Sequence, residues 1–477
     1  RSNTEELLSY MLGNLKQLGP IVGLEVIDQD DKQTLEYFRA LGFDAMKNDA
    51  LADQGLEWRE EGQTDHERGS LDQAMEHFKQ SRAAFIELYQ REGSAGRALF
   101  ELGQAEFWVG YVHLDKGELD EAQERFTRYG AITRRLVNQN PKDAEMVMEL
   151  SYTLTNLGAV ERARVNPDTA KALQLTQSAV QYNQIALVLD PENSTYRADL
   201  NNKLAFMADA WLDLCDLGKA YDFRRQNVDL SRVLYKKSPA NDVLKLNLAW
   251  SLSGLADIQR RIPLPEQALL NLQESYKLLM QLAEQDAENP LRSWEALMRE
   301  NRMIQIRSWT EPPEKLWPEM RTHRQVLDTF FLEANLQDFT VAIDYADTLI
   351  DYSRFAWRVG EKEEADRALQ DATDCLSGLV GENPENRSSR RLLAGAWYEY
   401  WTRHGKLPPG EAVTRLDGYL VDPEQVTSCD DASLAARLEF MRGNISLAKG
   451  YTLYLLGKGF FEPGFVAFCQ RNELCEK

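Results

Sequence analysis

Histidine is the first residue type in this 477-residue chain to consider for chemistry, since imidazole is both a metal ligand and a general base. The chain has five, His66, His77, His113, His323 and His404, and none pairs with a cysteine or another histidine at metal-ligand spacing. The sequence also contains no glycine-rich phosphate loop, nucleophile elbow or HExxH motif. We therefore predict a protein that is not an enzyme and has no catalytic residue, metal or cofactor of its own.

Three carboxylates near the N-terminus, Asp28, Asp30 and Asp31, resemble the start of a calcium-binding loop. The glycine and the closing glutamate of such a loop are not at the required positions. A solvated turn is the preferred interpretation.

The five cysteines are scattered at Cys215, Cys375, Cys429, Cys469 and Cys475. Their odd number and wide spacing predict no disulfide framework. Cys469 and Cys475 would lie on different faces of one continuous helix, so they could meet only if the helix breaks between them. We expect these two to be unpaired packing residues.

Aromatic and arginine side chains are better candidates for binding, because tyrosine, tryptophan and arginine are the usual anchors of interfaces. Four aromatic residues crowd positions 397–401, and at 100° per residue they cannot all face one neighbouring helix. Some should line a groove or the surface, or else they fill the gap left by an irregular repeat; both interpretations stay open. The candidate partner-binding residues are Trp397, Tyr398, Tyr400, Trp401, Arg391, Arg403, Trp250 and Tyr111.

A repeat of about 48 residues runs along most of the chain. A small residue recurs at intervals of 48, 48, 50 and 48 residues, at Gly62, Gly110, Gly158, Ala208 and Ala256. An alanine marks the second half of most units, at Ala74, Ala122, Ala220, Ala268 and Ala365. A proline follows Asn140, Asp190, Ser238 and Asn383 at the joins between units. Three markers with one period predict a stack of helix pairs.

The unit that contains Gly110 shows how each pair should be built. Glycine inside a helix costs about 1 kcal/mol relative to alanine, so Gly110 predicts a neighbouring helix that approaches closely. Gly117 should end the first helix in a left-handed turn, and acidic residues after it favour the start of the second. Asn140-Pro141 should end that second helix.

The period is least regular between positions 301 and 320. Ile304 occupies the expected small position, and Trp317-Pro318 should interrupt the second helix of this unit. Pro265 and Pro313 are interpreted as first residues of helices, where proline is well tolerated.

These positions resemble the tetratricopeptide repeat superfamily, most closely in Gly62, Gly69, Ala74 and Phe78 and in the segment from Gly110 through Phe126. The resemblance covers roughly residues 45–430, with a period longer than the superfamily's usual value of about 34 residues. More narrowly, segments 10–15 and 20–28 resemble the start of a bacterial repeat region that follows signalling modules. In that group a basic residue usually follows the glycine, whereas Leu24 follows Gly23 here. The resemblance implies a partner-binding or sensing arm.

The net charge of −21 disfavours a nucleic-acid backbone or an anionic membrane as the main partner. It suits a basic or neutral polypeptide, although an acidic surface also simply keeps a large protein soluble. No apolar run approaches the roughly 18 residues that span a bilayer, so we expect no direct membrane insertion.

Together these observations predict an all-α, right-handed α-solenoid with an N-terminal helical cap (1–44), repeats (45–430) and C-terminal capping helices (431–477). The predicted function is a scaffold that binds a peptide or protein in a groove lined by the first helices, at Tyr111, Lys203, Trp250, Arg354 and Trp397. The alternative is a regulatory arm for an effector domain (kinase, TIR, protease, NTPase or DNA-binding) upstream of this sequence. A cytoplasmic location is favoured, or an extracytoplasmic one if a membrane span precedes residue 1; the sequence does not specify an oligomeric state.

Overall fold

The computed structural model describes residues 29–40, 42–92, 96–287, 289–334, 339–406 and 428–475. Within these ranges the chain is helical apart from turns and one isolated bridge between Arg164 and Asn386. Segments 10–15 and 20–28, which carry the narrower resemblance, lie outside the described residues. A short 3₁₀ turn, Phe43–Ala45, precedes the long helices.

Nineteen α-helices make up the described part of the chain. They are α1 Gln29–Ala40, α2 Asn48–Glu67, α3 Leu71–Glu92, α4 Gly96–Asp115, α5 Leu119–Gln139, α6 Ala144–Ala163, α7 Thr169–Leu189, α8 Ser194–Asp213, α9 Leu217–Lys237, α10 Asp242–Arg261, α11 Pro265–Gln285, α12 Pro290–Arg307, α13 Pro313–Ala334, α14 Phe339–Val359, α15 Lys362–Glu382, α16 Arg387–His404, α17 Cys429–Met441, α18 Ile445–Gly457 and α19 Pro463–Arg471.

The long helices pack as consecutive pairs, which confirms the predicted all-α array of helix pairs. The first helices of the pairs are α2, α4, α6, α8, α10, α12, α14, α16 and α17. Except after α16, where residues 407–427 are not described, the second helix of each pair follows after a short turn. Neighbouring pairs pack on each other, as α3 does on α4 and α11 on α12. Each hairpin has one apolar face that only a neighbour can cover, so the order in the sequence becomes the order in space.

The chain divides into two compact units. Unit 1 contains Arg1–Glu161 and Ala170–Lys203, and unit 2 contains Arg162–Thr169 and Leu204–Lys477. The division into a cap, repeats and a second cap at residues 44 and 430 stays a prediction.

Close approach at the small residue of the first helix holds each early pair together. A Cβ atom added at Gly62 would lie 2.7 Å from a ring carbon of Phe78, and one at Gly110 would lie 3.0 Å from Arg125 and Phe126. Both phenylalanines are fully buried. The prediction that glycine is needed here for helix contact is therefore confirmed. Sixteen residues separate the glycine from the phenylalanine in both helix pairs.

The turns within the pairs repeat one backbone geometry. Gly69, Gly117 and Gly360 have φ angles of +77°, +74° and +95°, as predicted for left-handed helix ends. In each case the next amide donates back to the last turn of the first helix, as Glu118 does to the carbonyl of His113 at 2.8 Å. This bond satisfies a carbonyl group that the helix end would otherwise leave unpaired.

Proline positions agree with the sequence in two cases and differ in one. Pro265 and Pro313 are the first residues of α11 and α13, as predicted. Pro318, expected to interrupt a helix, lies inside α13, so that expectation was wrong. A proline this near the start removes one intrahelical hydrogen bond, and the full burial of the adjacent Leu316 and Met320 outweighs that loss.

Residues far apart in the sequence meet in unit 2, where Cys215 and Cys429 form a disulfide across 214 residues. Their Cα atoms are 4.9 Å apart and both side chains are fully buried. The expectation of no disulfide was wrong, because spacing along a chain does not reveal which turns return to one another. The start of α17 lies against the turn between α8 and α9, so the pairs of unit 2 do not end as an open row.

Ion pairs and a backbone hydrogen bond accompany this closure. Arg261 at the end of α10 bonds Asp430 at 2.8 Å, and its carbonyl accepts the amide of Phe461 at 2.8 Å. Arg387 contacts Asp431 and lies 3.5 Å from Asp213. The start of α17 is thus fixed to the helices α10 and α16 and, through the disulfide, to the turn after α8.

Replacing Gly62 with alanine is expected to lower the free energy of unfolding by about 1–2 kcal/mol. Overpacking against Phe78 costs about 1–3 kcal/mol and exceeds the gain in helix propensity of about 1 kcal/mol. Gly450→Ala is the control, because a Cβ atom there meets nothing within 4 Å, and it should stabilise the protein. Denaturant unfolding of both variants makes the comparison; equal effects would contradict close packing at Gly62.

Reduction of the Cys215–Cys429 disulfide is expected to lower the melting temperature, because a cross-link over a long loop contributes about 2–5 kcal/mol. Cys429→Ala should melt near the reduced value whether or not reductant is present. Differential scanning calorimetry of both proteins with and without reductant provides the measurement. A wild-type melting temperature that reductant leaves unchanged would contradict the role of this bond.

Candidate partner-binding surface

A carboxylate occupies the equivalent position of three successive first helices in unit 1. Glu101 on α4, Glu149 on α6 and Asp199 on α8 are separated by 48 and 50 residues, the intervals of the repeat itself. The preceding first helix supplies a donor to each of them. Arg59 pairs with Glu101, Gln104 donates to Glu149 at 2.6 Å, and Tyr152 donates to Asp199.

The same kind of contact links first helices in unit 2. The Trp250 indole donates to Glu295 at 2.8 Å, Arg302 lies 3.6 Å from Asp347, and Arg354 donates to Glu399 at 2.8 Å. Neighbouring first helices are therefore joined by polar groups in both units. A surface joined in this way offers hydrogen-bonding groups to a ligand.

Glu149 is the most strongly perturbed carboxylate of unit 1. It is only 8% exposed and accepts hydrogen bonds from Gln104 and from the buried Tyr129 hydroxyl. Burial raises its pKa to about 7, despite these two bonds, which favour the charged form. At neutral pH a large fraction of Glu149 is therefore protonated.

Lys203 lies beside this carboxylate and is 2% exposed. Its ammonium nitrogen stands 4.7 Å from the centre of the Tyr152 ring, a cation–π contact. Burial lowers the pKa of Lys203 to about 8, although Asp199 and Glu149 favour its charged form. Burial also raises the pKa of Asp199, and Lys203 and Tyr152 only partly oppose that effect.

Glu145, one turn before Glu149, extends this negative region towards α4. Its pKa is raised by partial burial and then by Asp143 and Glu101. We call Glu101, Glu145, Glu149 and Asp199 the acidic stripe. The pKa values of three of its four members, Glu145, Glu149 and Asp199, are raised mainly by burial, and neighbouring carboxylates add to the effect at Glu145 and Glu149.

Aromatic side chains border the acidic stripe, and Tyr111 is among them. Phe107 stacks on Tyr111 with ring centres 5.7 Å apart, and its ring lies 5.5 Å from Tyr129 and 6.5 Å from Tyr152. His66 meets Tyr111 edge-on at 5.4 Å. The predicted site residue Tyr111 is thus connected to the stripe through Phe107.

Trp250 and the aromatic group of α16 lie in unit 2. Trp250 is 42% exposed, which leaves much of its ring available to a partner. Trp397 and Tyr398 are 5% and 8% exposed and belong to the largest apolar core of the unit. Tyr400 and Trp401 are half-buried, the first 4.4 Å from the His404 ring and the second 6.5 Å from Phe440.

The two candidate arginines do not lie beside a common surface with these aromatics. The Arg403 side chain is 3% exposed, donates to the Ser353 hydroxyl at 2.7 Å and covers the Trp357 ring at 5.1 Å. Arg391 lies 3.6 Å from Asp430 and so belongs to the closure of unit 2.

Charges on the first helices of unit 2 are better balanced than those of the acidic stripe. Although burial raises the pKa of Asp257, the guanidinium groups of Arg260, Arg261 and Arg302 hold it well below its usual range. The pKa of Asp430 is also lowered against the effect of burial, mainly by Arg261 and Arg391.

Asp351 is the exception in unit 2. Burial first and Asp347 next raise its pKa to about 7, against the opposing effect of Arg354.

The acidic stripe was not identified from the sequence, although Lys203 was nominated. The signal was present, because Glu101, Glu149 and Asp199 keep the interval of the repeat. These carboxylates are found when the sequence is searched for charged residues that recur at the repeat interval, as it was for small residues.

Two further properties concern the described residues alone. Among them, no three or more histidine, cysteine, aspartate and glutamate side chains are grouped so as to hold a metal ion. Across the same ranges, every helix is too short or too polar to pass through a lipid bilayer.

Comparison with known proteins gives likeness in structure alone. No protein-family model matches the sequence, and no curated protein is significantly similar to it. The Rap protein complexed with competence and sporulation factor is 12% identical, with a TM-score of 0.47 over 90% of this chain and 98% of that one. Aspartyl phosphate phosphatase F from Bacillus subtilis is 14% identical, with a TM-score of 0.40 over 87% and 94%. A human IFIT1 dimer with PPP-AAAA is 12% identical, with a TM-score of 0.33 over 90% and 95%. With TM-scores below 0.5, these likenesses decide nothing about function, and the fold is described from its own helices.

Glu149→Gln is expected to make the protein more stable than the wild type at pH 8 and equally stable near pH 4.5. The folded-state pKa of Glu149 is raised, so its favourable contribution is complete below about pH 4.5 and is lost as the pH rises through 7. The difference at pH 8 should be about 1–3 kcal/mol. Glu76→Gln, at an exposed glutamate of α3, controls for the loss of one formal charge. Urea unfolding at both pH values checks this, and a difference independent of pH would contradict it.

Proposed function

We propose that the protein is a non-catalytic scaffold that binds an extended, basic polypeptide segment along the first helices of unit 1. The acidic stripe supports this proposal most directly. Glu145, Glu149 and Asp199 have raised pKa values in the absence of a partner, so a lysine or arginine side chain would lower the free energy of their charged forms.

The neighbouring tyrosines supply a second type of contact. Tyr152 and Tyr196 are half-buried beside the stripe, and the Tyr152 ring already carries the ammonium group of Lys203 on its face. Aromatic faces attract cations and contribute about 0.5–2 kcal/mol, more when water is excluded. Carboxylates next to tyrosine rings form a surface suited to lysine and arginine side chains.

The spacing of the stripe suggests the form of the ligand. Packed helices lie about 8–10 Å apart, so we expect a similar spacing between carboxylates at the same position of adjacent first helices. A polyproline II segment rises about 3.1 Å per residue and brings every third side chain to the same face, a repeat of about 9 Å. A segment with a basic residue at every third position therefore matches the register of Glu101, Glu149 and Asp199.

The net charge of the chain agrees with this partner. With 76 acidic and 55 basic side chains, the protein attracts basic polypeptides over a Debye length of about 8–10 Å. The same field repels a nucleic-acid backbone.

A labelled peptide of five Lys-Ala-Pro repeats is the probe for this site, with five Glu-Ala-Pro repeats as the opposite charge. Fluorescence anisotropy should show binding of the lysine peptide only, weakening as salt is raised. The double variant Glu145→Gln and Asp199→Asn should bind it about 5–10-fold more weakly, because two partly exposed charge pairs contribute about 0.5–0.7 kcal/mol each.

The matched control is Glu76→Gln with Glu124→Gln, which removes two exposed acids from the second helices α3 and α5. This control has the same net charge as the double variant. Equal affinity of the two variants for the lysine peptide would show that binding follows net charge and would reject the acidic stripe as the site. Circular dichroism verifies that both variants remain helical.

A further inference from the structure

The end of the last helix brings two cysteines together. The helix α19 ends at Arg471, and Glu473 has a left-handed backbone with φ of +56°. The amide of Leu474 then donates to the carbonyl oxygen of Cys469 at 2.9 Å, and the amide of Glu473 donates to the carbonyl oxygen of Gln470 at 3.3 Å. These are the two bonds of a Schellman motif, and they turn the chain back on the helix. The break that Cys469 and Cys475 require in order to meet is therefore present.

Burial keeps the two thiols in one place. Cys469 is fully buried in the same apolar core that contains Cys215 and Cys429, and the half-buried Cys475 packs against that core. Leu474, between them in the turn, is 1% exposed and anchors the returning segment. The neighbouring Cys475 thiol is the second cause, after burial, of the raised pKa of Cys469.

From this geometry we infer that Cys469 and Cys475 are a second disulfide site, which a small-molecule disulfide such as oxidised glutathione converts from dithiol to disulfide. The Cys475 thiolate attacks the oxidant and releases one glutathione thiol, giving a mixed disulfide. The Cys469 sulfur then displaces the second glutathione thiol as the S–S bond forms. The protein loses two protons and two electrons, and the glutathione disulfide takes up both.

The order of the two steps follows from exposure. Cys475 is half-buried and reaches solvent, whereas Cys469 is enclosed and attacks only from within the protein. Burial raises the pKa of the Cys469 thiol, so the closing step should accelerate as the pH rises from 7 to 9.

The experiment uses the full chain incubated with a glutathione redox pair at pH 8, alkylated without reduction and digested with trypsin. Cleavage after Arg471 separates the two cysteines into peptides 459–471 and 472–477, which only a disulfide can hold together. Mass spectrometry should find these two peptides linked before reduction and separate afterwards. Cys375, which lies in α15, should be alkylated throughout and serves as the internal control.

Detection of the Cys215–Cys429 linkage in the same digest proves that the sample was oxidised. If that linkage is present while Cys469 and Cys475 are alkylated, or if either is linked to another cysteine, the proposal is overturned. A second readout is the melting temperature of Cys475→Ser, which should fall a few degrees below wild type after oxidation and match it after reduction. Cys375→Ser should show no redox-dependent difference from wild type.

Discussion

Each helix pair can cover only one of its apolar faces by itself, and this limit controls the rest of the structure. Close contact inside the pairs that contain Gly62 and Gly110 depends on a first helix that has no side chain where the second helix crosses it. The rings of Phe78 and Phe126 occupy the space over Gly62 and Gly110 in this way. Once the pair is closed, the remaining apolar surface must be covered by the next pair, and the helices of each unit follow in order. The first helices meet beside one another as a consequence, and their polar contacts form there.

The regular part of the fold was predictable because it depends on local rules repeated many times. The register of Gly62 and Gly110, the left-handed Gly117 and the helix start at Pro265 each follow from the conformational limits of one residue type. Pro318 was misjudged because burial of neighbouring residues can outweigh one lost hydrogen bond. Burial at a single position depends on the neighbouring helix, which the periodicity alone does not describe.

Contacts between residues far apart in the sequence could not be predicted from the periodicity for a related reason. The disulfide of Cys215 joins segments 214 residues apart, a separation set by the summed geometry of several helix pairs. One local sign existed, since Cys215 has φ of +54° and occupies the turn position that glycine holds at Gly69, Gly117 and Gly360. A left-handed backbone costs a residue with a side chain about 1–2 kcal/mol. A cross-link that stabilises unit 2 by about 2–5 kcal/mol offsets this cost, which explains a cysteine at a glycine position.

The candidate site was only partly predictable, because residue type alone does not distinguish a packed aromatic from an available one. Trp397 and Tyr398 have the composition of an interface but lie in a core, whereas Glu149 was overlooked and carries a strongly raised pKa. Apart from Asp351, electrostatic balance separates the two units more clearly than composition does. In unit 2, arginines lower the pKa of Asp257, so its charge is already compensated within the protein. In unit 1 burial raises the pKa values of Glu149 and Asp199, and Lys203 only partly opposes this effect at Asp199. A basic ligand gains most free energy where such compensation is missing, and this difference favours unit 1 as its binding surface.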